Sequence, residues 1–376
     1  MSKELKVGLI GLGYIGKIHT LAYRDISLCF SKAPVVPRLA AVLRSRLDTE
    51  VEATKSYQLA TTDPAEFFTQ DLDVIDVCSP NFMHREQVEP ALRAGRAVYC
   101  EKPLAATLED ARAMADLAKK TGALTHVALT LRYLPAIRQM KAMIASGAIG
   151  EVYHFRARMF HGSYLDTERP MSWRLRYAES GGGAFMDLGV HLVDLTHYLL
   201  GPVETVRAQK RVFVCERCTL PRSDQREPVD VDDWMLSTLE LKNGAVGVLE
   251  VTRVAGGSGH DTDFAVFGSK GAVLFEIDDA ESVRWFDPKR QQWIRGVMDL
   301  PPMPGERPAA EIWPTQKYSQ GELTNSHLAA AYDFLLNVAE GLPSAVDFQA
   351  GLAAQEVVEA AYRSAERSGD VIRLPL

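Results

Sequence analysis

The sequence predicts an α/β chain in two parts: a doubly wound parallel sheet, then an α+β domain with a large, open, mainly antiparallel sheet. Three observations carry this. The glycine-rich VGLIGLGYIG begins inside a short apolar run and continues past its end. Short β-rich runs then alternate with helical segments as far as residue 128, the pattern of strands buried on both faces and joined by crossover helices. After residue 130 the runs acquire one polar face and tight turns, which suits an antiparallel sheet open on one side. The division falls at 1–128 and 129–376.

In the first part, Lys6–Ile10 is the opening strand, and Arg38–Leu43, Asp73–Cys78, Ala97–Cys100 and Leu124–Ala128 are further buried strands. Asp63–Pro64 starts a helix, Thr107 and Asp110 form a capping box, and Gly122 ends the helix they open. Gly11, Gly13 and Gly16 form G-x-G-x-x-G between a strand and a helix. There, glycines let backbone amides and the helix N-terminus hold a pyrophosphate. An acid is expected about 20 residues on, at the end of the second strand, to bind the ribose hydroxyls. This chain offers Arg44, Ser45 and Arg46 instead, after a connection lengthened by Arg24–Pro37. The loop CEKPLA, Cys100–Ala105, leaves a strand's carboxyl end, where α/β proteins place ligands. Its Lys102–Pro103 bond is a rigid turn or a cis peptide.

In the second part a helix at Pro135–Ser146 leads to the alternating strand GEVYHFRARMF. Asn243–Gly244 turns a hairpin within WMLSTLELKNGAVGVLEVTRV, and two later segments repeat that layout. Pro301, Pro302, Pro304, Pro308 and Pro314 mark an irregular loop, read as an arm toward a partner subunit, and Ala350–Arg367 is a closing helix. In GGGAFMDLGVHLVDLTHYLLG, helical spacing puts Leu188, Leu192, Leu195 and Leu199 on one stripe with Asp187, His191 and Asp194 beside it. A carboxylate four residues before a histidine can orient it and stabilise its charged form. His197 is rotated by about a third of a turn from His191, so a three-ligand metal site does not converge and no metal is expected.

The 376 residues carry a net charge of −7, which argues against nucleic acid and anionic membranes as partners. No apolar run is long enough for a membrane span, and the start lacks a signal-peptide pattern, so a cytoplasmic setting is expected. Cys29, Cys78 and Cys100 read as buried thiols, and the lone C-x-x-C of Cys215 and Cys218 is weak evidence for zinc.

The segments GLIGLGYIGKIH, VCSPNFMH, AGRAVYCEKPLA, SGGGAFMDLGVHLVD and FQAGLAAQEVVEAAYRSAERSG, in this order and spacing, resemble the Gfo/Idh/MocA oxidoreductases over nearly the whole chain. The resemblance implies a Rossmann domain and an NAD(P)-dependent dehydrogenase or reductase of a sugar, polyol or cyclitol, working as a homodimer or homotetramer. It implies Lys102, Asp187 and His191 as the catalytic side chains. Cofactor contacts fall on Gly11, Gly13, Tyr14, Ile15, Gly16, Arg44, Ser45, Arg46, Ser79, Pro80, Asn81, His84, Glu101 and Lys102. Substrate contacts add Tyr133, Trp173 and Arg174 to the catalytic three. The arginines at 44 and 46 favour NADP over NAD. An NAD-dependent glycosidase of the same fold and a non-catalytic nucleotide-sensing regulator are the alternatives.

Overall fold

The computed structural model describes residues 2–47, 52–296 and 300–376. The chain forms two compact units, Met1–Tyr133 with Pro304–Leu352, and Leu134–Met303 with Ala353–Leu376. The single boundary expected near residue 128 is thus replaced by three crossings, because a late helical segment folds with the first unit.

The first unit runs β1 (Lys3–Ile10), α1 (Tyr14–Cys29), β2 (Val35–Leu43), β3 (Leu59–Thr61), α2 (Pro64–Phe68), β4 (Val74–Val77), α3 (His84–Arg93), β5 (Ala97–Cys100), α4 (Leu108–Thr121) and β6 (Thr125–Val127). Its strands pair in parallel in the order β3-β2-β1-β4-β5-β6. Val7, Leu9, Val42, Val74, Val77 and Val98 are fully buried, as a sheet covered on both faces requires. The helix ends follow their caps. Asp63 accepts from Ala65 N–H at 2.8 Å, Thr107 from Asp110 N–H at 3.1 Å, and Gly122 closes α4 at φ 69°. Strand β3 is too short for its periodicity to be read. Strand β2 starts before Pro37, tolerated because β3 reaches only as far as Ala41, leaving that stretch on an edge.

The second unit holds α5 (Pro135–Ala145), β7 (Val152–Phe160), α6 (Tyr177–Ser180), α7 (Val190–Leu200), β8 (Val203–Arg211), β9 (Glu216–Cys218), β10 (Arg226–Pro228), β11 (Trp234–Leu241), β12 (Val246–Thr252), β13 (Asp261–Gly268), β14 (Gly271–Glu276), β15 (Val283–Asp287) and β16 (Gln292–Gly296). Along the chain then come α8 (Ala309–Ile312) and α9 (Glu322–Glu340), which belong to the first unit, α10 (Phe348–Glu366), and β17 (Ile372–Arg373), which belongs to the second. The large sheet has the order β16-β15-β14-β13-β7-β12-β11-β8-β17 among the described residues, and β7–β12 is its one parallel pair. Phe155, Leu249, Met235 and Phe264 fill its buried face. The other face presents His154, Arg156, Val246, Val248, Thr238 and Glu240 to solvent.

Within the proline-rich segment, Arg307 is anchored to α9 of the same unit. Arg307 pairs with Asp333 at 3.1 Å and Glu340 at 2.6 Å on α9, because those acids face a guanidinium that is itself mostly buried. Cys29 is half-buried at the end of α1, whereas Cys78 and Cys100 are buried as read. Cys215 is exposed, and the buried Cys218 thiol donates to the Glu168 carbonyl at 3.2 Å.

Candidate active site

Register brings the first unit's site residues to one edge. Leu43, Ile10, Val77, Cys100 and Val127 lie abreast across five strands. The residues that follow them therefore leave the same carboxyl edge, and strand order reverses direction between β1 and β4. A sheet of this kind binds its ligand at that switch point.

The glycine loop has the shape of a phosphate cradle. Gly11 has φ +92°, and a side chain there would meet the Cys78 and Ser79 backbone at 2.9 Å. At Gly16 a Cβ would lie 2.1 Å from the Gly11 carbonyl oxygen, so α1 can pack this close only without one. Gly13 caps α1 with no side-chain hydrogen bond, and a Cβ there would meet no protein atom within 4 Å. The amides at the start of α1, with Tyr14 exposed and Ile15 half-buried, are left for an anionic ligand. These observations fit a dinucleotide's pyrophosphate.

Arg44 follows β2; its backbone N–H donates to Thr61 and its guanidinium to Thr54 Oγ1 at 3.1 Å. Ser45 and Arg46 are exposed beside it. After β4, Ser79 and Pro80 are half-buried, and Ser79 Oγ donates to Gln87 at 2.6 Å. Asn81 is buried on the same loop. His84 is fully buried, its two ring nitrogens 3.0 Å from the Ser79 carbonyl and 3.1 Å from that of Leu104. It clasps the β4 and β5 loops together. Burial lowers its pKa despite the two carbonyls.

Lys102 is half-buried, and the Lys102–Pro103 peptide is cis. Glu101 turns inward, with one carboxylate oxygen 3.0 Å from His19 Nε2 and the other accepting the Lys102 N–H at 3.1 Å. Tyr133 is 2 % exposed and its hydroxyl donates to Asp333 at 3.0 Å.

In the second unit, Asp187 and His191 share one helical segment. The sequence implied a regular α-helix, but Phe185–Gly189 is a π turn in which Val190 N–H reaches the Phe185 carbonyl. The regular α-helical hydrogen-bond pattern is therefore interrupted between Phe185 and Val190. The cause is local packing. A Cβ on Gly189 would lie 2.6 Å from the Phe185 ring, and one on Gly183 would lie 2.0 Å from the Asp232 carbonyl. Asp232 accepts from Gly183 and Phe185 N–H at 2.9 Å each and from the Tyr362 hydroxyl at 2.6 Å. The Tyr362 oxygen in turn accepts from Gly183 at 2.9 Å and Met186 at 3.2 Å. Between Ser180 and Thr196 Asp187 alone is partly exposed, while His191 is 8 % exposed. The segment thus points one carboxylate outward from a buried frame.

Trp173 and Arg174 are half-buried, with the guanidinium 4.2 Å from the indole ring centre. The neighbouring Leu175 anchors this turn in a small core with Tyr164, Val229 and Val231. The sequence reading missed Asp232 and Tyr362, and also His19, Asp76 and His327 around Glu101. Asp76 was detectable: an acid inside the otherwise apolar strand VIDV needs a buried partner.

Together, the glycine cradle and the carboxyl-edge loops define a dinucleotide-binding α/β protein joined to a unit with a large mixed sheet. Comparison with known proteins gives the finer grouping. The family described as "Oxidoreductase family, NAD-binding Rossmann fold" matches residues 5–129, and the "GFO/IDH/MocA C-terminal domain" matches residues 137–274. A levoglucosan dehydrogenase of Pseudarthrobacter phenanthrenivorans is 30% identical, covering 96% of this chain and 97% of that protein. A myo-inositol 2-dehydrogenase of Thermotoga maritima is 28% identical over 98% of each chain. A solved levoglucosan dehydrogenase in complex with NADH and levoglucosan superposes with a TM-score of 0.90 at 30% identity, covering 99% of this chain and 100% of that one. The chain belongs to the Gfo/Idh/MocA family of oxidoreductases.

Proposed function

We propose that this enzyme moves a hydride between a nicotinamide cofactor and a hydroxyl-bearing carbon of a sugar, polyol or cyclitol. The observation that carries the reading is the sheet edge on which the Gly11–Gly16 cradle and the Lys102 loop leave abreast strands. The bound nicotinamide supplies the two-electron acceptor. The chain supplies the rest: alcohol oxidation also releases a proton, so a base must lie within hydrogen-bond reach of the hydroxyl. His191 takes that proton, Asp187 stabilises the imidazolium so formed, and the Lys102 ammonium favours the developing alkoxide. Trp173 offers an indole to a sugar's C–H face, and Arg174 a guanidinium to its hydroxyls. The named dehydrogenases among the relatives support this substrate class.

For the cofactor, the Arg44–Ser45–Arg46 edge offers cations and a hydroxyl where a carboxylate would select NAD, and this supports NADP. The NADH in the solved relative supports NAD. Acceptance of both, with the 2′-phosphate favoured, is the reading tested below. The exposed sheet face with Val246 and Val248 supports homo-oligomerisation. The five free cysteines support a reducing, cytoplasmic setting. No helix among the described residues is long and apolar enough to cross a membrane.

The test is a screen of cyclitols, aldoses and anhydrosugars with both cofactors. Stoichiometric NAD(P)H formation with a carbonyl product is expected. Glycosidic cleavage without net reduction, or nucleotide binding with no turnover of any substrate, would overturn the proposal.

A further inference from the structure

Beneath the Lys102 loop lies an ionic cluster that the hydride-transfer scheme does not use. His19 Nδ1 is 2.8 Å from Asp76 Oδ2 and Nε2 is 3.0 Å from Glu101 Oε1, with side-chain exposures of 3 %, 0 % and 7 %. A ring with a carboxylate on each nitrogen donates from both and is an imidazolium. Tyr23 donates to Asp76 Oδ2 at 2.9 Å and the Cys78 thiol to Asp76 Oδ1 at 3.4 Å, so the far carboxylate is itself held. Burial opposes charge on His19, yet Asp76 and Cys78 together raise its pKa well above the usual value. Burial likewise opposes charge on Glu101, but His19 brings its carboxyl down to about 2. His327 packs on His19 at 4.9 Å, and burial followed by the charge of His19 lowers its pKa to about 3, leaving it neutral.

Three ionised groups in a sheet core are a poor way to gain stability, since apolar residues of similar size commonly do as well or better. The cluster makes sense through what it touches. Glu101 Oε2 accepts the backbone N–H of Lys102 at 3.1 Å. His19 lies three residues after Gly16 on α1, so the same rigid helix carries the phosphate cradle and the anchor. We propose that His19 and Glu101 are positioning residues for Lys102, the His19 imidazolium on Asp76 holding the carboxylate that fixes the lysine's backbone relative to α1. This rests on the role given to Lys102 above. The cluster sets where the ammonium sits and does not touch substrate. A buried metal held by His19, Glu101 and His327, whose donor atoms lie within 4.8 Å of one another, is the competing use of these groups. It would require His19 to give up a proton that both carboxylates now hold.

A double-mutant cycle on the full-length enzyme separates the possibilities. Lys102→Ala is measured first: wild-type turnover in that variant would remove the role of Lys102 itself and with it the function proposed above. Given the loss expected there, Glu101→Gln in the wild-type background should lower kcat about 10- to 100-fold, with cofactor KM changed less than about twofold. In the Lys102→Ala background the same substitution should change kcat by less than about twofold. Equal losses in both backgrounds would show that Glu101 acts independently of the lysine and overturn the inference. Should Glu101→Gln not fold, Asp76→Asn, which keeps an acceptor toward His19, is carried through the same cycle. One equivalent of metal in the purified protein, lost on Glu101→Gln, would also overturn it.

Discussion

Replacing Tyr362 by phenylalanine probes how the second unit holds its catalytic segment. The phenol oxygen donates to Asp232 at 2.6 Å and accepts from Gly183 and Met186. Phenylalanine keeps the ring packing against Phe185, whose centre lies 6.5 Å away, so no large cavity opens. Gly183 N–H retains Asp232 as a partner. The losses are the hydroxyl–carboxylate bond and the bond to Met186 N–H. A bond to a charged group is worth about 1.5–3 kcal/mol and an ordinary one about 1, giving a cost of roughly 3 kcal/mol. The assay is urea unfolding followed by tryptophan fluorescence, with kcat and KM measured on the same preparation. Because Met186 directly precedes Asp187, turnover should fall by more than substrate affinity. Burial and Asp232 raise the Tyr362 pKa well above its normal value, so the cost should be constant from neutral pH to pH 9. A loss below about 0.5 kcal/mol, or unaltered kcat, would refute the view that this hydroxyl frames the turn.

The remaining predictions concern the catalytic pair, the glycine loop, the cofactor edge and acid stability. His191→Ala and Lys102→Ala should each lose about 10²–10⁴-fold in kcat while remaining folded by circular dichroism, and near-normal turnover in His191→Ala would sink its assignment as base. Gly13→Ala should keep its melting temperature but weaken NADH binding in a fluorescence titration, since its Cβ meets no protein atom within 4 Å. Gly16→Ala should lower both, because its Cβ would stand 2.1 Å from the Gly11 carbonyl; equal behaviour of the two variants would contradict the cradle. Arg44→Asp should shift kcat/KM from NADP toward NAD, and an unmoved ratio in an enzyme already preferring NAD would refute the phosphate reading. Glu101 has a folded pKa of about 2 against an ordinary 4.5, so it contributes stability above pH 4.5 that is lost as pH falls toward 2. In an acid-unfolding titration Glu101→Gln should remove that part of the pH dependence, and superimposable slopes would count against the ionic cluster.

Periodicity and turn chemistry made most of the fold legible. Strand runs such as Val74–Val77 and the caps at Asp63, Thr107 and Gly122 act locally, over a few residues, so their signals survive in one dimension. The G-x-G-x-x-G loop was equally readable, because steric need for glycine is set by immediate neighbours. What sequence could not settle depended on partners far along the chain. The Tyr133 hydroxyl meets Asp333, 200 residues away, a partner no local pattern announces. Asp187 and His191 read as members of one regular α-helix, and the π turn at Phe185–Gly189, beside the Asp232 and Tyr362 hydrogen bonds, left no mark in the local pattern. The inward turn of Glu101 toward His19, and the seat of His84 between two carbonyls, likewise depend on residues distant in the chain. The strand–helix grammar, and which chemical groups the chain brings, were thus open to reading residue by residue. Which of those groups face outward emerged from the folded chain alone, because burial and long-range hydrogen bonds depend on residues that no local pattern specifies.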